Sequence, residues 1–445
     1  MAVFKHLTLF PLLALVMSAS LILSHVGCAD QQESNASPTA VETPATETPA
    51  DSEPPETDEQ TSETEASSVE SQQAEVVDSA ISSDDTPESW TSFRNSPQQL
   101  GVAHTTLPDN LELLWEYEAP DGLLSSPAIV DGRVYVGILH GDLLCLDLET
   151  GERVWSYRTI ESDDPDEFAP GFQAPMTVTD ELALCGDEDG VLHAVDRESG
   201  KKRWTFPTDG EVVGGVTVVG ERGIFGSHGG KLFSLNLADG TAAWEFETRG
   251  PVNASPTIGE SFTFVTGCDQ PIMRVVDIES GEQHSEIPLE GLLIATPALM
   301  GDMLYFGTDQ GAVFAIDWKA KQPVWTYADA DRPFEIRSSP AVVDDLVIIG
   351  SRDKRLHAIN RQTGEEAWTF ATRAGIDSSP VVCGDRVYFG SRDKNVYGLT
   401  IADGKEVWKH NIRQSITASP AIGEGHLVIG TDESDGKILC FGAAE

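Results

Sequence analysis

One tryptophan keeps returning in this chain at a nearly constant distance, always just after a turn glycine. The pattern reads LCLDLETGERVWSY from Leu144, LHAVDRESGKKRWTF from Leu192, LFSLNLADGTAAWEF from Leu232, HAINRQTGEEAWTF from His357 and VYGLTIADGKEVWKH from Val396. Alignment on it gives eight copies, opening at Pro127, Pro175, Gly215, Pro256, Pro297, Pro340, Pro380 and Pro420, in steps of 40 to 48 residues. A fixed period of this length marks a unit that cannot bury its apolar faces alone, so its copies must stack.

Each copy is all β. In SSPAVVDDLVIIGSRDKRLHAINRQTGEEAWTF, from Ser338, the runs AVV, LVIIG, RLHAIN and EEAWTF are short, apolar and β-branched, with DD, SRDK and RQTG turns between them. Four strands with tight turns make one antiparallel blade, and eight blades stacked around an axis make an eight-bladed β-propeller. Trp155, Trp204, Trp244, Trp325, Trp368 and Trp408 fall one per copy at the start of the last strand. A ring there packs over the next blade. Trp115, in LELLWEYEAP, precedes the first copy, while the last copy ends at ILCFGAAE with no Trp strand. The amino-terminal strand is therefore expected to complete the final blade, which closes the ring and removes open edges. The fourth copy has Gln283-His284-Ser285 where its Trp is due. That junction is expected to be the weakest, or to be covered by another group.

The first residues read as a targeting segment, outside the fold. Lys5 and His6 precede an apolar run from Leu7 to Leu23, and SHVGC ends it at Cys28. Lipidation of Cys28, cleavage after Ala29 and retention as an anchor are the three outcomes this layout allows, with the lipoprotein preferred. Residues 29–89 are mostly Ser, Thr, Pro, Ala, Gln, Glu and Asp with no Lys, Arg or aromatic residue, the composition of a disordered tether. The organisation expected is a signal peptide over 1–28, an acidic linker over 29–89 and the propeller over 90–445. The chain carries 73 acidic and 29 basic residues for a net charge of −44; 17 of the acids lie in the linker, so the propeller region is acidic in its own right. This excludes a phosphate-binding surface of the nucleic-acid kind. The cysteines Cys145, Cys185, Cys268, Cys383 and Cys440 have no CxxC and no adjacent pair, so zinc spacing is absent.

LDLETGERVW, AVDRESGKKRW and AINRQTGEEAW resemble the tryptophan-docking motif of the pyrroloquinoline quinone (PQQ)-like β-propeller repeat superfamily, over residues 111–441. The lead-in WTSFRNSPQQLG, from Trp90, is similar to that of bacterial secreted members, with Asn95 where Gly is usual. The superfamily has a quinoprotein dehydrogenase branch and a BamB-like envelope branch. Resemblance to the first implies PQQ and Ca²⁺ on the axis, held between a Trp floor and a disulfide of adjacent cysteines. Resemblance to the second implies a scaffold with no cofactor. No adjacent Cys pair exists here and no catalytic residue carries over, so the reading is a non-catalytic, monomeric interaction propeller of the cell envelope, periplasmic or outer-membrane-associated, with unidentified envelope proteins as partners and a lipid anchor. A PQQ-dependent dehydrogenase is the alternative.

Three smaller features remain. SRDKR and SRDKN place Arg352, Lys354, Arg355, Arg392 and Lys394 on matching turns of adjacent blades, a basic rim patch that Asp353 and Asp393 would partly neutralise. His193 and His357 recur at one repeat position and read as packing residues. Ser339-Pro340 and Ser379-Pro380 open inner strands and line up around the axis, either to bond something in the channel or to constrain the backbone.

Overall fold

The computed structural model describes residues 88–443 except 163, 165–166, 268–269 and 329–332. The chain divides into two units, Met1–Gln72 and Gln73–Glu445, and every described residue belongs to the second. Cys28, the leader and nearly all of the linker lie outside the described residues.

Eight four-stranded antiparallel sheets form the ring: blade 1 over 128–158, blade 2 over 177–207, blade 3 over 217–247, blade 4 over 257–288, blade 5 over 298–328, blade 6 over 341–371 and blade 7 over 381–411. Blade 8 takes three strands from 421–442 and its outermost strand, Glu112–Glu118, from the amino-terminal side. The closure expected from Trp115 is what the fold uses.

Burial explains the strand composition. In blade 6 the third strand, Arg355–Asn360, is buried at its four central residues because a neighbouring blade covers each face. Outer strands such as Glu406–Asn411 alternate exposed and half-buried residues. Each outer strand also slips its register by one residue immediately before the Trp position: Trp368 pairs with Ala358 and Glu366 with Ile359, leaving Ala367 bulged. A bulge bends the strand and re-aims the side chain that follows. Here that side chain turns towards the next blade.

Seven indole N–H groups then donate across a junction to a backbone carbonyl: Trp115 to Leu148, Trp155 to Arg197, Trp204 to Leu237, Trp244 to Ile278, Trp325 to Arg361, Trp368 to Ile401 and Trp408 to Leu111, at 2.7–3.0 Å. The ring of each of the first six lies on the turn glycine of the receiving blade. A Cβ at Gly404 would sit 2.4 Å from Cε3 of Trp368, and one at Gly364 2.8 Å from Cγ of Trp325. The glycine serves its own positive φ and its neighbour's ring together.

The alignment needs one correction. Thr177, Thr217 and Thr257 each donate a hydroxyl to the next blade, to the carbonyls of Val216, Pro256 and Pro297. Val216 is therefore the counterpart of Pro256, and Met176 opens blade 2. Pro175 and Gly215 stand one residue earlier, where other blades carry Ser or Thr.

Candidate functional site

Inner strands start at the axis, and each blade contributes equivalent residues there in layers. The outermost layer, at the mouth, contains Leu124, Gln173, Val213, Asn253, Ile294, Arg337, Asp377 and Thr417, one from each blade in turn, around a cavity of about 190 Å³. Equal positions with eight unlike side chains mean that the repeat does not dictate this layer.

Two residues further along lies a layer that is nearly uniform: Ser126, Ser255, Thr296, Ser339, Ser379 and Ser419, all buried and all lining the same cavity. Five of these hydroxyls accept a backbone N–H from the preceding blade, Gly215 to Ser255, Ser255 to Thr296, Thr296 to Ser339, Ser339 to Ser379 and Ser379 to Ser419, at 2.9–3.1 Å. The Ser-Pro repetition thus has a backbone role, linking inner strands that share no sheet.

The lead-in closes the opposite end. Carbonyls of Trp90, Thr91, Pro97, Gln98, Leu100 and Gly101 accept the N–H groups of Ile129, Val178, Ile258, Leu299, Val342 and Val382, the inner strands of six blades. Glu88 reaches blade 8 through the N–H of Glu424, and the Gln99 amide reaches Thr217 of blade 3. Val102–Ala103 then pairs parallel with the inner strand of blade 7. One short segment touches all eight blades, and Phe93 forms part of the cavity lining.

Arg94, next in line, is 1% exposed. Its guanidinium donates to the carbonyls of Pro340 and Pro380 at 2.7 Å each, while its Nε is buried without a partner. Burial pulls its pKa down to about 9, so the group is still charged at neutral pH. Among the described residues no carboxylate pairs with it. It has positive φ, 60°, which a bulky residue adopts only when its surroundings impose it.

Three of the five basic side chains on these turns, Arg352, Arg392 and Lys394, are paired with carboxylates. Arg352 is bidentate to Asp377 at 2.9 and 3.0 Å and also holds Glu335 at 2.9 Å. Arg392 reaches the same Asp377 at 2.7 Å, and Arg337 reaches Glu335 at 2.9 Å. Lys394 approaches Glu433 at 3.4 Å. Burial opposes ionisation of Asp377, but the two guanidinium groups outweigh it and hold the carboxyl below its usual range. Three arginines and two carboxylates make a chain of alternating charge, net +1, on one side of the mouth. The neutralising carboxylate is Asp377, from a loop on the next blade. Asp353 instead holds His357 at 3.1 Å, and Asp393 holds the Tyr397 hydroxyl at 2.7 Å. Lys354 and Lys394 occupy positive-φ turn positions, at 72° and 74°, where blades 1, 2, 3 and 5 have Gly141, Gly190, Gly230 and Gly311.

His193 and His357 lie at blade junctions, each between a carboxylate and a tyrosine from the preceding blade: Asp187 at 2.8 Å and Tyr157 at 2.9 Å for His193, Asp353 and Tyr327 both at 3.1 Å for His357. Burial and the nearby Asp187 and Glu161 push the Tyr157 hydroxyl up to about 12. Among the described residues no three His, Cys, Asp or Glu side chains are grouped to hold a metal ion. Cys145, Cys185, Cys383 and Cys440 are buried free thiols.

A quinone cradle of the kind the dehydrogenase branch implies needs an aromatic plate on the axis. No Trp lines this cavity; its one aromatic residue is Phe93, and its carboxylate is engaged by two arginines. The described cysteines are dispersed through the blades. The residues present do not fit that group.

Fold and repeat together define a β-propeller of PQQ-like repeats. The family model described as outer membrane protein assembly factor BamB matches residues 101–166, 164–272, 188–332 and 324–441, and the chain belongs to that family. BamB of Xanthomonas campestris pv. campestris is 30% identical over 93 residues, 21% of this chain and 23% of that protein. The quinohemoprotein alcohol dehydrogenase of Comamonas testosteroni is 32% identical over 104 residues, 21% of this chain and 14% of that protein. The matched stretches thus span a quarter or less of these relatives' own length. In structure, BamB from Moraxella catarrhalis aligns with a TM-score of 0.62 at 19% identity, covering 76% of this chain and 98% of its own. The Comamonas dehydrogenase aligns at 0.67 and 13% identity, covering 80% and 81%. These two likenesses speak to the fold, which both branches share.

Proposed function

We propose that this protein is a non-catalytic interaction propeller of the cell envelope, of the outer-membrane assembly type. The observation that carries the reading is the axis: a narrow, hydroxyl-lined cavity sealed below by the lead-in, with its one lining carboxylate engaged by arginines. A general base must be within reach of a proton to abstract, and Asp377, ionised and tied to Arg352 and Arg392, is engaged as a structural anion. Family membership over 101–441 agrees. On this reading residues 1–28 are an export signal, Cys28 carries the lipid anchor, and the protein faces the periplasm, which the intact mass of the membrane-extracted protein checks. Partners dock on the rim loops, where Phe168 and Phe334 are exposed between blades 1 and 2 and between blades 5 and 6.

A second reading, a quinone-dependent dehydrogenase, draws on the likeness to the Comamonas enzyme. Thermal unfolding of the full chain with and without excess PQQ and Ca²⁺ separates the two. A ligand that binds only the folded state raises Tm by mass action. The scaffold reading expects no shift; a saturable rise with dye-linked alcohol oxidation would overturn it.

A further inference from the structure

We infer that the axial cavity is a receptor for a small aliphatic carboxylate. The hydroxyl layer supplies the first reason. Ser255, Thr296, Ser339, Ser379 and Ser419 each already accept a backbone N–H, and no acceptor for their own protons exists among the described residues. The Ser126 hydroxyl makes no hydrogen bond there, although the residue is 3% exposed. A hydroxyl is one donor and two acceptor sites. With an acceptor site filled by the fold and no protein acceptor for the proton, the layer presents convergent O–H donors to whatever occupies the cavity. An anion satisfies several such donors at once, and hydrogen bonds to charged groups are stronger than neutral ones.

Charge supplies the second reason. The Arg94 guanidinium donates to the carbonyls of Pro340 and Pro380, the residues directly following the ring hydroxyls of Ser339 and Ser379. A buried cation without a carboxylate is costly, and a negative charge close by offsets that cost. At the other end, the Arg337-Glu335-Arg352-Asp377-Arg392 chain carries one excess positive charge on the side of the mouth formed by blades 6 and 7, while Glu188 accepts from Gln173 and Asp432 from Thr417 on its other sides.

Shape and polarity choose among anions. Leu124, Val213, Ile294 and Ala295 line the same cavity. A carboxylate with a short hydrocarbon body places its oxygens on the hydroxyl layer and its methylenes against these residues. Sulfate and phosphate lack that body. At about 190 Å³ the cavity is smaller than the roughly 300–1,000 Å³ of sites for drug-sized ligands, so the guest has only a few carbons. This inference holds under either reading of the protein's function, because it concerns the hydroxyl layer and not catalysis.

The test is calorimetric titration of the full chain with butyrate at constant ionic strength, with butyramide as the neutral counterpart and sulfate as the bodiless anion. One saturable butyrate site per chain is expected, with butyramide and sulfate at least tenfold weaker. Ser126→Ala removes a hydroxyl on which no other residue depends, and is expected to weaken butyrate about tenfold at unchanged Tm. Ser126→Ala/Ser419→Ala is expected to lose more, its Tm recorded in the same buffer to show that it is folded. Absence of saturable butyrate binding by the folded wild type overturns the proposal, as does equal affinity in wild type and both variants. Sulfate binding more tightly than butyrate overturns the carboxylate assignment. A Tm shift with PQQ would count against the scaffold reading alone, since the comparison of butyrate with butyramide reads this site separately.

Discussion

Seven blade junctions are closed by a tryptophan reaching forward, and the junction between blades 4 and 5 is closed by one reaching back. In blade 4 the docking position is Ser285, whose buried hydroxyl finds no partner. Trp318 of blade 5, at the position where other blades supply the accepting carbonyl, is 5% exposed and packs edge-on against Phe262 and Phe264 of blade 4, at 5.6 and 5.3 Å. The His284 ring lies tilted against Phe262, with centroids 4.5 Å apart. The junction is still filled by an indole ring, now supplied from blade 5. The turn records the exchange: Lys321 stands where Gly151, Gly200, Gly240, Gly281, Gly364 and Gly404 stand elsewhere, still at a φ of 57°. A side chain is admitted there because no indole lies on that turn. The requirement for glycine in the other blades comes chiefly from the neighbour's ring, and positive φ alone does not impose it.

The largest effect should come from removing a forward Trp. Trp368→Ala takes away a buried ring and its hydrogen bond to Ile401, and is expected to cost about 3–5 kcal/mol in urea unfolding. A loss under about 1 kcal/mol would mean that junctions are held mainly by their other contacts. Next, Gly404→Ala must fit a Cβ 2.4 Å from Trp368 on a backbone at φ 66°, for an expected cost of about 2–4 kcal/mol. Its counterpart, Lys321→Gly, is expected to shift stability by less than about 1 kcal/mol, since relieved strain and added chain entropy nearly cancel. Similar losses at both sites would break the contrast drawn between the two kinds of junction.

The smallest effect concerns pH at the forward-docked junction of blades 7 and 8, where His410 stacks with Trp408 and meets the edge of Phe441. Burial lowers the His410 pKa, against a weaker opposing pull from Glu116. Between its folded value and about 6.5, the unfolded chain binds a proton that the folded chain does not. The contribution of His410 to stability is therefore complete above about pH 6.5 and falls as pH drops through that window. His410→Phe should flatten the Tm profile between pH 7.5 and 5 relative to wild type, and an unchanged slope would remove this junction from the pH response.

Period, turn glycines and the displaced Trp115 were enough to determine the blades, their number, the forward docking and the strand that closes the ring, because each follows from a contact repeated between neighbours. The reverse docking had a legible trace, Trp318 in the acceptor slot together with a missing glycine at 321, but its meaning depends on what blade 4 lacks. Only the tertiary structure decided the inner register at Met176 and Val216, the joining of Arg352 and Arg392 on Asp377, and the lead-in that binds all eight blades and carries Arg94 to the axis. Those arrangements join residues more than three hundred positions apart, Glu88 to Glu424 among them. A repeat specifies what each unit offers its neighbour, while the axis is where all eight units meet at once and where a single unrepeated segment can fill the space they leave.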